Sequence, residues 1–302
     1  MHIYLSDQLN ITASMTLLKD GIYVLLNVTK DKIIECGQIS GGFSNECGQN
    51  SLIQITISKI ELYGASTPNV HKVLFALEEL NIPYNFNVLS LRDGDQFTEE
   101  FKKINPNSKV PAIFDRNVEG GLAVFESGNI LQYLATHYGN GKYLPNATTD
   151  IKGNTQVLGW LYWQMSGLGP TQGNLNHFDK YAPEKIEYAL KRYSNELSRL
   201  FHVLEKQLAD HTFIVADQYT IADMAIYAWI RYIYMHPEFT SQEFPNVFKY
   251  IDRVRSIPSV NKVVTEAEED LKKNPHKPVT DKERKIMFGQ NGKSDDDQQS
   301  KQ

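Results

Sequence analysis

The stretch Asn105–Ala135, NPNSKVPAIFDRNVEGGLAVFESGNILQYLA, decides how this chain is read. Proline cannot donate to a sheet ladder, so Pro111 ahead of Ala112-Ile113-Phe114 marks a strand entry or a sheet edge. The main-chain groups of Val110 are then free to pair with something outside the sheet. Ala123-Val124-Phe125 reads as a returning strand a short loop away. It runs into Glu126-Ser127-Gly128 and then Ile130, Leu131, Tyr133 and Leu134 at helical spacing. The first amides of a helix lack an internal acceptor, and the helix dipole adds to their attraction for anions. A strand edge with open peptide groups beside such a helix start is a receptor for a small, extended peptide.

Upstream, Ile60–Tyr63 is a short strand, and the turn to Asn69 leads into a helix whose apolar face is Val70, Val73, Leu74, Leu77 and Leu80. Pro68 sits where helices commonly begin. Tyr84, Phe86 and Val88 alternate with Asn85 and Asn87, as a half-buried strand does. A crossover helix between two strands makes a βαβ unit with parallel strands. A polar turn, RDGDQF, and a short helix over Phe97–Ile104 lead back to the opening stretch. The order βαβ then ββα, spanning 59–141, predicts a thioredoxin-like α/β domain.

Downstream, Gly139–Asp150 has the Gly, Pro and Asn content of a linker. An all-α domain over 150–270 follows. Val157, Leu158, Leu161 and Met165 form one stripe, which Gly167–Pro170 is expected to cut off. Pro183 is expected to open a long helix whose buried face runs Ile186, Leu190, Tyr193, Leu197, Leu200, Leu204 and Leu208. Thr220-Ile-Ala-Asp223 spells a capping box. Further helices fit Pro245–Arg255 and Ser259–Glu268. From residue 271 composition turns polar, predicting a disordered tail to 302 in which only Lys282–Gly289, KERKIMFG, can dock as a helical turn or two.

Residues 1–58 form an extension of unclear role. Asp20-Gly21 between apolar runs signals a hairpin, and Ile53, Ile55 and Ile57 alternate like a strand. Cys36 and Cys47 lie in a short imperfect duplication whose spacing fits no usual zinc pattern, so they read as bystander thiols. A net charge of −5 over 302 residues argues against a nucleic-acid partner. The apolar runs are too short to span a membrane, and the start lacks a secretory pattern. A cytoplasmic protein is expected. Asn10, Asn27 and Asn146 begin chance matches to the glycosylation pattern. None of the eight histidines pairs with another at i,i+4, so no metal site is expected.

A thioredoxin-like domain keeps its reactive group at the first helix N-terminus. Here that turn is Ser66-Thr67-Pro68-Asn69, without cysteine, which excludes a disulfide relay of the protein's own. Thr67 and Asn69 can donate hydrogen bonds to a thiolate brought by a ligand, and a plain capping segment fits the same residues equally. Neither is a base near neutrality. Trp160, Trp163 and Trp229 lie among apolar residues as core, with Trp163 a candidate to line a cleft. Asp223 has a sufficient explanation as a cap.

The motifs TPNVHKVLFALEEL, GDQF, NPNSKVPAI, FESGNILQYLA, GLGP, YAPEKIEYALKRY and YTIADMAIYAW together resemble the nu-class glutathione transferases. That class comprises bacterial disulfide-bond oxidoreductases close in fold to the yeast nitrogen-catabolite regulator, and the resemblance covers roughly residues 59–268. It implies a thioredoxin-like glutathione-binding domain followed by a helical one, with glutathione as cosubstrate. Glu126 and Ser127 would hold the γ-glutamyl end. Val110, before a cis Pro111, would pair with the cysteinyl main chain, and Gln96 and Lys109 would reach a carboxylate. Thr67 and Asn69 would lie near sulfur, and Arg192 on the long helix would touch a second glutathione. The resemblance further implies a homodimer that reduces disulfides first, hydroperoxides second, and conjugates electrophiles third. A non-catalytic regulatory or scaffold protein on the same fold is the alternative.

Overall fold

The structure is a computed structural model that describes residues 2–4, 11–18, 21–28, 32–36, 59–215, 217–275 and 277–289. It divides into two units, Met1–Ile57 and Ser58–Gln302. In the first, β1 (His2–Tyr4), β2 (Ile11–Leu18), β3 (Gly21–Val28) and β4 (Lys32–Cys36) form an antiparallel sheet in that order. The β2–β3 register pairs Leu18 with Gly21, which agrees with the hairpin expected at Asp20-Gly21. Cys47 and the strand expected over Ile53–Ile57 lie outside the described residues.

The second unit opens with the anticipated βαβ-ββα order. β5 (Ile60–Gly64), α1 (Pro68–Glu79), β6 (Tyr84–Val88), α2 (Glu99–Ile104), β7 (Ala112–Asp115), β8 (Leu122–Phe125) and α3 (Ser127–Tyr138) follow in sequence. The sheet order is β6-β5-β7-β8, with β5 and β6 parallel and the remaining pairs antiparallel. Ile60, Leu62 and Ile113 are buried from the sheet, against Val73 and Leu77 of α1 and Leu131 and Leu134 of α3. β6 departs from expectation. Phe86 is 39% and Val88 72% exposed, because β6 is an edge strand whose side chains have little above them.

The remainder is helical: α4 (Ile151–Trp163), α5 (Gly169–Asn176), α6 (Glu187–Gln207), α7 (Ile221–Ile230), α8 (Pro245–Arg255), α9 (Pro258–Lys273) and α10 (Asp281–Phe288). Gly167–Pro170 does not cut the first of these off. A π turn over Gln164–Leu168 carries α4 into α5, and Pro170 is tolerated in the first turn of α5, where its missing N–H is no loss. A Cβ at Gly169 would come within 2.8 Å of Gln164 Nε2, so a larger residue here would make that side chain shift.

The long helix begins at Glu187, not at Pro183. Ala182 is extended, as the residue before proline is driven to be, and Ile186 is 40% exposed instead of buried. Leu197, Leu200, Leu204 and Leu208 of the predicted face are buried. α9 runs beyond Glu268 to Lys273, so the polar tail begins later than residue 271. KERKIMFG docks through α10. Arg284 Nε donates to Tyr181 O at 2.8 Å, the Phe288 ring meets those of His177 and Tyr181, and Glu283 pairs with Arg92 at 3.2 Å.

Candidate functional site

The site forms where α1 and α3 begin and β7 is entered. Thr67 caps α1: it is extended at φ −128°, and its Oγ1 accepts from Val70 N at 3.4 Å. Accepting that bond leaves the hydroxyl proton for a further acceptor. Asn69 Oδ1 accepts from Trp229 Nε1 at 2.9 Å. An indole N–H only donates, so the amide is oriented with its oxygen on Trp229 and both Nδ2 protons directed elsewhere. Trp229, expected to be core, is therefore also the group that orients Asn69.

The turn is braced from behind. Arg231 Nη2 lies 3.1 Å from His71 Nδ1, and His71 Nε2 lies 3.4 Å from Ser66 Oγ. Arginine only donates, so Nδ1 accepts and the ring proton sits on Nε2, facing Ser66. Burial and the nearby Arg231 charge push the imidazole down to about 3, so His71 is neutral at physiological pH and is no base.

Asn69, Asn105, Asn107, Lys109, Val110, Pro111, Glu126 and Ser127 line a cavity of about 190 Å³. The Val110–Pro111 peptide is cis. No hydrogen bond joins the Val110 N–H or C=O to another described residue, as expected of an open edge. Asn105 shapes the approach to it, donating from Nδ2 to Lys109 O at 2.6 Å and accepting Asn107 N on Oδ1 at 2.9 Å. Asn107 Nδ2 in turn donates to Glu126 Oε1 at 3.4 Å.

Glu126 precedes α3 at φ 69°, ψ 118°, and no side chain caps the helix. A non-glycine residue held at positive φ costs on the order of 1–3 kcal/mol, and such strain concentrates where a site must be shaped. The first internal bond of α3 is Ile130 N to Glu126 O, so the amides of Ser127, Gly128 and Asn129 stand open. Gly128 permits close packing beneath them: a Cβ there would come within 2.9 Å of Met165.

The anticipated residues therefore divide. Asn69, Lys109, Val110, Pro111, Glu126 and Ser127 meet at one cavity, with Thr67 at the same helix start as Asn69. Gln96 is buried, donates to Leu91 O at 3.3 Å, and keeps a buried Oε1 without a partner, but it is not on the cavity wall. Arg192 is exposed on α6 and is also off the wall. Asn105 and Asn107, also on the wall, were not singled out from the sequence, although asparagines flanking a proline are the composition of a turn. Lys72, which lies under Ser127, gave no sign at all on the helix pattern. A larger cavity of about 420 Å³, with Ser66, His71, Tyr227, Arg231 and Tyr232 in its wall, contains none of the anticipated residues. Among the described residues no cluster of His, Cys, Asp and Glu could hold a metal, and no helix is long and apolar enough to cross a membrane.

Residues 67–137 match the glutathione S-transferase N-terminal domain and residues 167–258 the C-terminal domain. The chain is 39% identical over 212 residues to the disulfide-bond oxidoreductase YfcG of Escherichia coli (strain K12), covering 69% of this chain and 96% of that protein. It is 40% identical over 202 residues to the disulfide-bond oxidoreductase YghU of the same organism, covering 64% of this chain and 68% of the relative. Among solved structures, the glutathione transferase URE2P6 from Phanerochaete chrysosporium, in complex with oxidized glutathione, superposes with a TM-score of 0.66 at 32% identity, covering 70% of this chain and 97% of that one. The chain thus belongs to the glutathione S-transferase family.

Proposed function

We propose that this protein binds glutathione in the cavity between Val110 and the start of α3 and uses its thiolate to reduce disulfides. The observation that carries this reading is the pairing of an unbonded Val110 peptide edge with an uncapped helix start, both on the cavity that Asn69 enters. Glutathione has the matching form: an extended peptide with a carboxylate at each end and a thiol at its centre. Its cysteinyl main chain pairs with Val110. Its γ-glutamyl carboxylate meets the α3 amides and Ser127, and its ammonium meets Glu126. Lys109, on the wall, serves the glycyl end; Gln96 and Arg192 lie off this wall and would meet only a glycyl carboxylate or a second glutathione that extends beyond it.

A free thiol near pKa 8.5 is mostly protonated at neutral pH, and donors at a helix start lower that value. The Thr67 hydroxyl and the Asn69 Nδ2 protons supply such donors, so the proton leaves to solvent and the thiolate remains. The thiolate attacks one sulfur of a substrate disulfide, forming a mixed disulfide and expelling the other sulfur as thiolate. A second glutathione attacks the mixed disulfide, which gives glutathione disulfide and the second substrate thiol. Two glutathione thiols are oxidised and one disulfide is reduced, with no cysteine of the protein taking part. The same thiolate would reduce hydroperoxides and conjugate electrophiles more weakly, in a cytoplasmic homodimer.

The test is turnover of a mixed disulfide of glutathione and a small thiol by the wild type and by the Thr67→Ala/Asn69→Ala variant. The variant is expected to lose turnover while still binding glutathione. Equal rates would remove both residues from the chemistry, and binding without any turnover by the wild type would favour a regulatory protein on this fold.

A further inference from the structure

Beneath the proposed γ-glutamyl subsite lies a buried lysine to which no role has been given. Lys72 is 1% exposed, and long cationic side chains are almost never fully buried without a charged partner. Its Nζ lies 2.6 Å from Gln164 Oε1, 3.3 Å from Ser127 Oγ and 3.2 Å from Met165 Sδ. All three are neutral. The Glu126 carboxylate is the charge that acts on it. The other charged groups around α1 are directed elsewhere: Arg231 to His71, Glu78 to Tyr84 and Lys262, and Glu79 to Tyr143 and Ser259.

An ammonium has three donors and no acceptor, so a charged Lys72 obliges Ser127 Oγ to accept. The hydroxyl proton of Ser127 is then released toward its other neighbours, which are Met165 Sδ at 3.5 Å and any acceptor that enters the cavity Ser127 lines. A neutral amine keeps two donors and gains a lone pair, so it no longer obliges Ser127 Oγ to accept and can take that proton itself. The protonation of Lys72 therefore decides whether Ser127 is held as a donor to the cavity.

We propose that Lys72 is a positioning residue for glutathione: its ammonium aims the Ser127 hydroxyl at the γ-glutamyl carboxylate and supplies the buried positive charge that draws it. This deepens the glutathione reading and rests on it. Burial pulls the free lysine down to about 7, with Glu126 opposing that shift. A carboxylate arriving above Ser127 stabilises the ammonium and raises its pKa again. Below about 7 the lysine is charged before binding, so affinity is at its highest and no proton is taken up. Above that value binding brings a proton with it, and affinity falls as pH rises until the complex too has lost its proton.

The experiment is titration calorimetry of the full chain with S-methylglutathione, which has no thiol proton to release. Titrations are run at several pH values from mildly acidic to alkaline, in pairs of buffers with different ionisation heats. The wild type is expected to take up no proton on the acid side, and an uptake rising toward about one proton per site above neutrality. Lys72→Met, close in length and uncharged, is expected to bind roughly tenfold to a hundredfold more weakly and with no uptake at any pH. The wild-type measurement stands by itself if that variant fails to fold. Wild-type binding without pH-dependent uptake, or a folded Lys72→Met with unchanged affinity, would overturn the role of Lys72 and leave the glutathione reading in place. No binding of S-methylglutathione by the wild type would overturn both.

Discussion

The starts of α3 and α7 are built from similar residue types and finished in opposite ways. At α7, Thr220 Oγ1 accepts from Ala222 N at 3.3 Å, and Asp223 reaches back to Thr220 N at 2.8 Å. The Asp223 carboxylate also accepts from Ile214 N and the Tyr250 hydroxyl, both at 2.9 Å. Burial pushes that carboxyl up to about 6, while its four donors pull it back. Nothing at this helix start is left for a ligand. At α3, Glu126 stands at positive φ, no side chain caps, and the open amides border a cavity. One chain has thus closed one helix start with its own atoms and held the other open at a conformational cost. An open, strained start beside an unbonded strand edge is the arrangement of a binding site, and a closed one is the arrangement of a folding element.

The contrast can be broken at either end. The largest effect is expected at the α1 start that shares the α3 cavity. Replacing Thr67 and Asn69 together by alanine should lower kcat for disulfide reduction by about two to three orders of magnitude, the scale of removing positioned donors from a developing anion. Steady-state kinetics with calorimetry as a check on glutathione binding measures it. Next, Asp223→Ala should destabilise the fold by about 3 kcal/mol, because it strips buried donors of their acceptor. Denaturant titration reads this loss, and glutathione affinity of the folded fraction should not change. Ser127→Ala shifts the loss toward the ligand: glutathione should bind about tenfold more weakly, with about 1 kcal/mol of stability lost because Lys72 gives up one of its buried acceptors. The smallest effect is that of Thr220→Ala, about 1 kcal/mol of stability, for the loss of a cap whose partner acceptor Asp223 remains.

Much of this was readable because it is written in local patterns. Helical spacing gave α1, α3 and α8, alternation and proline placement gave β7 and the open Val110 edge, and the Thr220–Asp223 spacing gave the capping box. What stayed hidden depends on groups far apart in sequence. Nothing in the helix pattern marks Lys72 as buried, because its partners Ser127, Gln164 and Met165 come from other helices. Trp229 looked like core because its bond to Asn69 spans two domains. Gly167–Pro170 resembled a helix end, since a proline's local preference does not reveal a π turn that absorbs it. The edge position of β6 was equally invisible to alternation alone, which cannot tell whether anything packs above Phe86 and Val88.

The central claim is that the reactive sulfur belongs to glutathione and that Thr67 and Asn69 hold it as a thiolate. The most direct measurement is a pH titration of thiolate ultraviolet absorbance for glutathione bound to the wild type and to Thr67→Ala/Asn69→Ala. The bound thiol should ionise below its free value of about 8.5 in the wild type and return toward that value in the variant. A bound thiol that ionises as it does in free solution, with wild type and variant alike, would contradict it.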